Sequence, residues 1–261
     1  VRLEGEAPKG VFPKDVILAV LGKIRADGAV YKAIDFTGSY VENLNVAGRM
    51  TICNMAVEMG AKTAYMQPNQ AVLDYVKARA VRPFEVQYTD PGYTYAESYT
   101  FDVSQLEPEL SCPSSVENVR TLSSVVAQGP VKLNQGYIGS CTGGREEDIA
   151  IAAKILKGRH IPEYTRLVVI PASNEVMEKC LEKGYIQDLI KAGATISTPG
   201  CGACLGAHEG VLTAGEVCIT STNRNFPGRM GSTEALMYLA SPATVAASMV
   251  TGYITDPRKY L

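Results

Sequence analysis

The chain has 261 residues, of which 46% are hydrophobic and 20% charged, with a net charge of -2. That is the composition of a water-exposed globular protein with enough chain for two cores, and the scattered basic residues leave no nucleic-acid footprint. No run of eighteen apolar residues occurs, so no membrane helix is expected. Seven cysteines without a secretory signal argue for a reducing, cytoplasmic setting rather than a disulfide framework.

An opening strand, Val1-Arg-Leu-Glu-Gly5, precedes a helix over 13–25, with Val16, Ile17, Val20, Leu21 and Ile24 at helical spacing and Pro13 in its first turn. The opening reads as a strand already inside a fold, the start of a truncated or processed piece. A strand is expected over 29–36, a loop or short helix over 39–46, and a helix from Met50 ended by Gly60. Lys62 to Met66 reads as a strand and 71–79 as a helix. The tyrosine-rich run 82–102 reads as a strand-like excursion at a sheet edge. Prolines and serines at 106–113 mark a boundary, dividing the chain into units 1–107 and 108–261.

Beyond the boundary the pattern becomes strand, loop, helix. Strands are expected at 131–138, 166–170, 194–198 and 216–221, and helices at 145–157, 173–183, up to Gly193, at 233–239 and at 242–251. Such alternation implies an α/β fold in three α/β/α layers around mainly parallel sheets, with ligands at the carboxyl ends of the strands. Cys141, Cys201, Asn223 and Arg224 all fall just after predicted strands.

Cys201-Gly-Ala-Cys204, bracketed by Gly200 and Gly206, is a tight loop in which two sulfurs can face one point, and Gly139-Ser-Cys141-Thr supplies a third thiol. A closed zinc site wants a fourth ligand and an ordinary four-iron cluster wants four cysteines. Three cysteines would leave one iron with an open position, able to act as a Lewis acid. A Cys-x-x-Cys loop is equally the mark of a redox pair or half a zinc site. Arg224 and Arg229 can each grip a carboxylate through paired N–H bonds, and either one alone is an ordinary surface charge. Cys53 reads as a small buried hydrophobe, Cys112 as inert and His160 as exposed.

Three segments in order, Gly139-Ser-Cys-Thr-Gly-Gly-Arg145, Pro199-Gly-Cys-Gly-Ala-Cys-Leu-Gly206 and Ser221-Thr-Asn-Arg-Asn-Phe-Pro-Gly-Arg229, resemble the signature segments of the aconitase superfamily, most closely its 3-isopropylmalate dehydratase and homoaconitase large subunits. The resemblance runs along nearly the whole chain. It implies a middle aconitase-like domain over 1–107 and a cluster-bearing one over 108–261. It implies a [4Fe-4S] cluster on Cys141, Cys201 and Cys204, with Asn54 and Glu58 facing the active-site water and substrate. Asn223, Arg224 and Arg229 would bind cluster and substrate, and His208 would play a supporting or structural part. The implied activity moves a hydroxyl between adjacent carbons of a hydroxy acid by loss and re-addition of water, with a small subunit as partner. The family's usual Cys-Thr-Asn is Cys141-Thr142-Gly143 here, and its N-terminal Asp-His and Gly-Asp-Ser-His motifs do not occur in these residues. Competing readings are a cluster- or zinc-bearing binding module and a thiol redox protein using Cys201 and Cys204.

Overall fold

A computed structural model describes residues Val1–Leu261. A seven-stranded sheet dominates, in the order β6-β5-β11-β10-β7-β8-β9. Its strands are β5 (Glu109–Ser111), β6 (Val119–Thr121), β7 (Gln135–Gly139), β8 (Arg166–Ile170), β9 (Thr195–Ile196), β10 (Val217–Thr220) and β11 (Leu236–Leu239). The five from β7 to β11 run parallel, and β5 is antiparallel to both β11 and β6. The mixed α/β class with a mainly parallel sheet is therefore observed.

Side chains alternate across this sheet with the period of two that pleating imposes. Ile138, Leu167, Val169 and Ile219 point into a core shared with helices α5 (Leu122–Ala127), α6 (Glu146–Leu156), α7 (Asn174–Glu182), α8 (Tyr185–Lys191) and α9 (Pro242–Thr251). Tyr137, Val168, Ile170, Cys218 and Met237 point to the other face, where they meet Ala203, Cys204, Leu212 and Met230. That second face is covered by the loops that carry the motifs.

The first part of the chain builds a separate buried cluster from Leu3 to Val103, joined by Leu239 of β11. Helix α1 (Pro13–Ile24) is its spine and packs on β5, β6 and helix α3 (Val46–Met55). Gly22 is required there, because a Cβ would stand 2.8 Å from the Val119 Cβ. The other elements here are β1 (Arg2–Glu4), β2 (Ala33–Asp35), α2 (Ser39–Asn43), β3 (Thr63–Tyr65), α4 (Gln70–Lys77) and β4 (Thr100–Asp102). β1 pairs with β4 and β2 with β3, both parallel.

Several elements differ from expectation. The predicted helix at 233–239 is strand β11, in parallel register with β10 from Val217↔Leu236 to Thr220↔Leu239. Leu-Met-Tyr-Leu favours helix by propensity, but the edge of β10 and cores on both faces override it. The expected strand over 29–36 shrinks to β2, preceded by a turn with Tyr31 at φ 61°. Between 81 and 99 there is no strand, and most side chains are exposed, so alternation has no buried face to hold it. The helix expected from Met50 starts earlier, at Val46, because the Asn45 side chain accepts a hydrogen bond from the Gly48 N–H and caps it.

At the junction of the two clusters Asp15 accepts hydrogen bonds from the N–H groups of Phe12 and Glu109, at 2.8 and 3.0 Å. The Glu109 side chain beside it is 7% exposed. Burial, reinforced by the charges of Asp15 and Glu107, pushes the Glu109 carboxyl up to about 8. The folded protein thus keeps this proton where an unfolded glutamate has released it, so stability falls as pH rises from the ordinary glutamate range toward 8. Glu109→Gln is expected to match the parent protein at pH 4 and to be more stable at pH 8, on the order of 1–3 kcal/mol, as read from urea unfolding midpoints at the two pH values.

Candidate active site

Because β7, β9 and β10 are parallel, the loops that follow them leave the same rim of the sheet. Cys141 follows β7, Cys201 and Cys204 follow β9, and Asn223, Arg224 and Arg229 follow β10. Cys141 and Cys201 are exposed and Cys204 is buried, all three as free thiols. Tyr137 of β7, fully buried, donates from its hydroxyl to the Cys201 carbonyl at 2.8 Å and pins the loop to the sheet face. The loop then closes as a single 3₁₀ turn over 202–205, with Cys204 N–H donating to the Cys201 carbonyl. Gly202 has φ +51° and a Cβ there would lie 2.2 Å from Ile170 Cδ1, so the turn favours glycine.

The first cluster reaches this rim through α3 and the turn after it. The Asn54 Oδ1 accepts from Asn223 Nδ2 at 2.9 Å, and the Cys141 thiol lies 3.7 Å from the same oxygen. Thr142 donates to the Asn223 Oδ1, fixing which way that amide faces. One turn beyond Asn54, Glu58 receives the Arg224 Nε at 3.0 Å on both carboxylate oxygens. Glu58 is 9% exposed. Burial raises its pKa, opposed by the Arg224 hydrogen bond and charge and by Lys14 and Arg229. Asn225 is buried and spends its amide on the Ser111 and Cys112 carbonyls and on Ser111 Oγ, so it shapes the loop.

No three His, Cys, Asp or Glu side chains stand close enough together to enclose a metal ion. Cys141 nevertheless stands 3.7 Å from the Asn54 Oδ1 and 3.9 Å from the Asn223 Nδ2, and the loop carrying Cys201 and Cys204 leaves the same rim of the sheet. On the same loops the Ser140 Oγ and the Arg229 Nε are buried without a partner. Soft thiol donors edged by an unpaired cation and hydroxyl fit an anionic, thiolate-held metal group. A cavity of about 530 Å³ lies elsewhere, among Ile34, Asp35, Tyr65, Tyr88 and Tyr95, and touches none of these residues.

The description "Aconitase family (aconitate hydratase)" matches residues 1–252. The chain belongs to the aconitase family. It is 49% identical over 259 residues to a probable methanogen homoaconitase large subunit of Methanothermobacter thermautotrophicus, covering 99% of this chain and 60% of that one. It is 49% identical over 261 residues to 3-isopropylmalate dehydratase large subunit 1 of Methanopyrus kandleri, covering 100% and 62%. The 3-isopropylmalate dehydratase large subunit of Elusimicrobium minutum is 45% identical over 262 residues, with coverage of 100% and 62%. The chain spans about three-fifths of the length of these curated relatives. A solved aconitase X of Thermococcus kodakaraensis aligns at a TM-score of 0.45 and 12% identity over 90% of this chain and 52% of its own, too remote to bear on function.

For this aconitase-family chain, the expected site residues meet in two neighbouring groups, Cys141 with Asn54 and Asn223, and Glu58 with Arg224. Arg229 stands near enough to act on Glu58, and Cys201 and Cys204 lie along the rim. His208 is exposed, its nearest charged partner being Glu209 at 3.8 Å, and His160 is exposed too. Gly143 packs directly on Ser221, with a Cβ 2.2 Å from the Ser221 Oγ, so the serine occupies space that a side chain at 143 would need. Sequence reading missed Lys14, which reaches the 221–222 backbone, and the orienting hydroxyl of Thr142. A lysine and an aspartate, Lys14 and Asp15, in the first turn of a helix that continues as Val-Ile-Leu-Ala-Val-Leu were the available signal for the first.

Arg224→Met leaves the Glu58 carboxylate with its burial and without its ion partner. The variant is expected to lose about 1–3 kcal/mol of stability at pH 7, and much less at pH 4 where the carboxyl is protonated, measured as a shift in the urea midpoint at unchanged slope.

Proposed function

We propose that this chain is the cluster-binding portion of a hydro-lyase large subunit. It would move a hydroxyl between adjacent carbons of a 2-hydroxy di- or tricarboxylic acid, with a [4Fe-4S] cluster on Cys141, Cys201 and Cys204. The single observation that carries this reading is the pair of neighbouring contacts, Asn54 with Asn223 beside Cys141, and Glu58 with Arg224, made between residues 169 and 166 positions apart in the chain. Family membership supports the reaction class. The foremost substrate is 2-isopropylmalate, converted to 3-isopropylmalate for leucine biosynthesis. Homocitrate, for lysine biosynthesis, is the second reading, favoured by the 48–49% identity to homoaconitase large subunits.

When bound, the cluster supplies an open iron position, a Lewis acid for the substrate hydroxyl. The chain's own residues do the rest of the positioning. Arg224 commits only its Nε within the chain, which leaves its terminal N–H groups to take a substrate carboxylate in paired bonds. Arg229, with its guanidinium 5.7 Å from the Phe226 ring centre, offers the second carboxylate site. Asn54 and Asn223 give neutral hydrogen bonds beside Cys141. Glu58, whose pKa is raised by burial, can hold or release a proton on the departing water.

We take residues 1–107 and 108–261 as two aconitase-like domains, a division supported by the two main buried clusters. The curated relatives are named large subunits, which supports a small subunit as partner and donor of the base that takes the carbon-bound proton. On this reading the chain alone does not turn over. No helix is long and apolar enough to cross a membrane, and we place the protein in the cytoplasm, where thiols stay reduced.

The test is iron and acid-labile sulfide content with EPR on protein reconstituted without oxygen, beside Cys141→Ser. The reading predicts a four-iron cluster that gives a three-iron signal on mild oxidation and is lost or short-lived in the variant. Bound zinc, or a cluster indifferent to Cys141, would overturn it in favour of a binding module.

A further inference from the structure

Lys14 is 1% exposed, on a helix whose other buried residues are mostly Val, Ile and Leu. Its ammonium donates to the Ser221 carbonyl at 3.0 Å and to the Thr222 carbonyl at 2.7 Å. Taking an ammonium so far out of water costs several kcal/mol, and two neutral carbonyls do not offset it. An apolar side chain would fill this part of the helix at no such cost. The remaining compensation is the charge around it. Burial lowers the ammonium's pKa to about 8, while Cys204, Cys141, Glu58 and Asp148, in that order, act to raise it. Two of these are candidate cluster ligands and one is the partner of Arg224.

The carbonyls held by Lys14 belong to the two residues immediately before Asn223 and Arg224. Ser221 and Asn225 tie this loop to its own sheet, and Lys14 is the hold that reaches its backbone from the first cluster. We infer that Lys14 is a positioning residue: its ammonium anchors the Ser221–Thr222 backbone so that Asn223 and Arg224 meet Asn54 and Glu58, and its fixed positive charge sits beside the thiol-lined centre. The anchoring stands on the contacts alone, whereas the effect of the charge on a bound cluster rests on the proposed function.

Two measurements on Lys14→Met, made in the full chain, test this. In the unloaded protein, hydrogen exchange of the peptide spanning 219–226 should quicken roughly tenfold or more, while peptides of α6 and α9 keep their protection. In protein reconstituted without oxygen, the midpoint potential of the cluster should move to a more negative value, since a nearby positive charge favours the reduced form. A lysine that serves general stability only would raise exchange evenly and leave the potential where it was. Unchanged exchange at 219–226 in a folded variant overturns the anchoring, and an unchanged potential overturns the charge effect. If the parent protein takes up no cluster, the proposed function fails while the exchange result still decides the anchoring. Should Lys14→Met not accumulate as folded protein, Lys14→Ala, which has no donor, carries the exchange measurement and Lys14→Gln, which lacks the charge, carries the potential.

Discussion

The contact on which the candidate site depends is the one between Glu58 and Arg224, with the Asn54–Asn223 hydrogen bond beside it. Neither buried cluster holds a complete set of polar groups. The first, organised on α1 and α3, brings an amide and a carboxylate. The second brings three thiols, an amide and two guanidinium groups on loops at the carboxyl rim of a parallel sheet. Parallel strands aim their following loops the same way, so thiols and cations from distant parts of the chain share a rim without any local sequence proximity. What the sheet cannot do is supply the wall opposite. That wall is α3 and the turn after it, and polar contacts close the gap.

The electrostatics of this seam are costly, which argues that the polar groups there are retained for a purpose other than stability. Lys14 and Asp15 are almost completely removed from water, Glu58 nearly so, and Asp148 is partly buried. Asp15 and Asp148 accept backbone N–H bonds at the starts of α1 and α6, yet burial still pushes both carboxyls up to about 7. A seam built only for strength would be apolar. Here Arg224 sits on Glu58, while Lys14, Asp15 and Asp148 are each held by backbone groups.

The cysteine loops were legible in the sequence because their constraints are local. Glycine at 202 and 206 and the two-residue spacing of Cys201 and Cys204 specify a tight turn whatever surrounds it. The alternation of β7, β8 and β10 was legible for the same reason. Strand β11 was not, since Leu236–Leu239 carries a helix-favouring composition and its pairing with β10 is decided from outside the segment. Nor was Lys14, whose partners lie 207 and 208 residues away. The pairing of Asn54 with Asn223 and of Glu58 with Arg224 could not be read from spacing either. The resemblance pointed to each residue separately, and only the fold shows that they touch.

The central claim is that two buried clusters hold one site together through these contacts, and a double-mutant cycle tests it most directly. Asn54→Ala, Asn223→Ala and the double variant would be compared by the half-life of reconstituted iron in the presence of a chelator. A shared site predicts strong coupling, with the double variant little worse than either single one and a coupling energy of about 1 kcal/mol or more. Additive losses, with each variant shortening the half-life independently, would contradict a site built jointly by the two clusters.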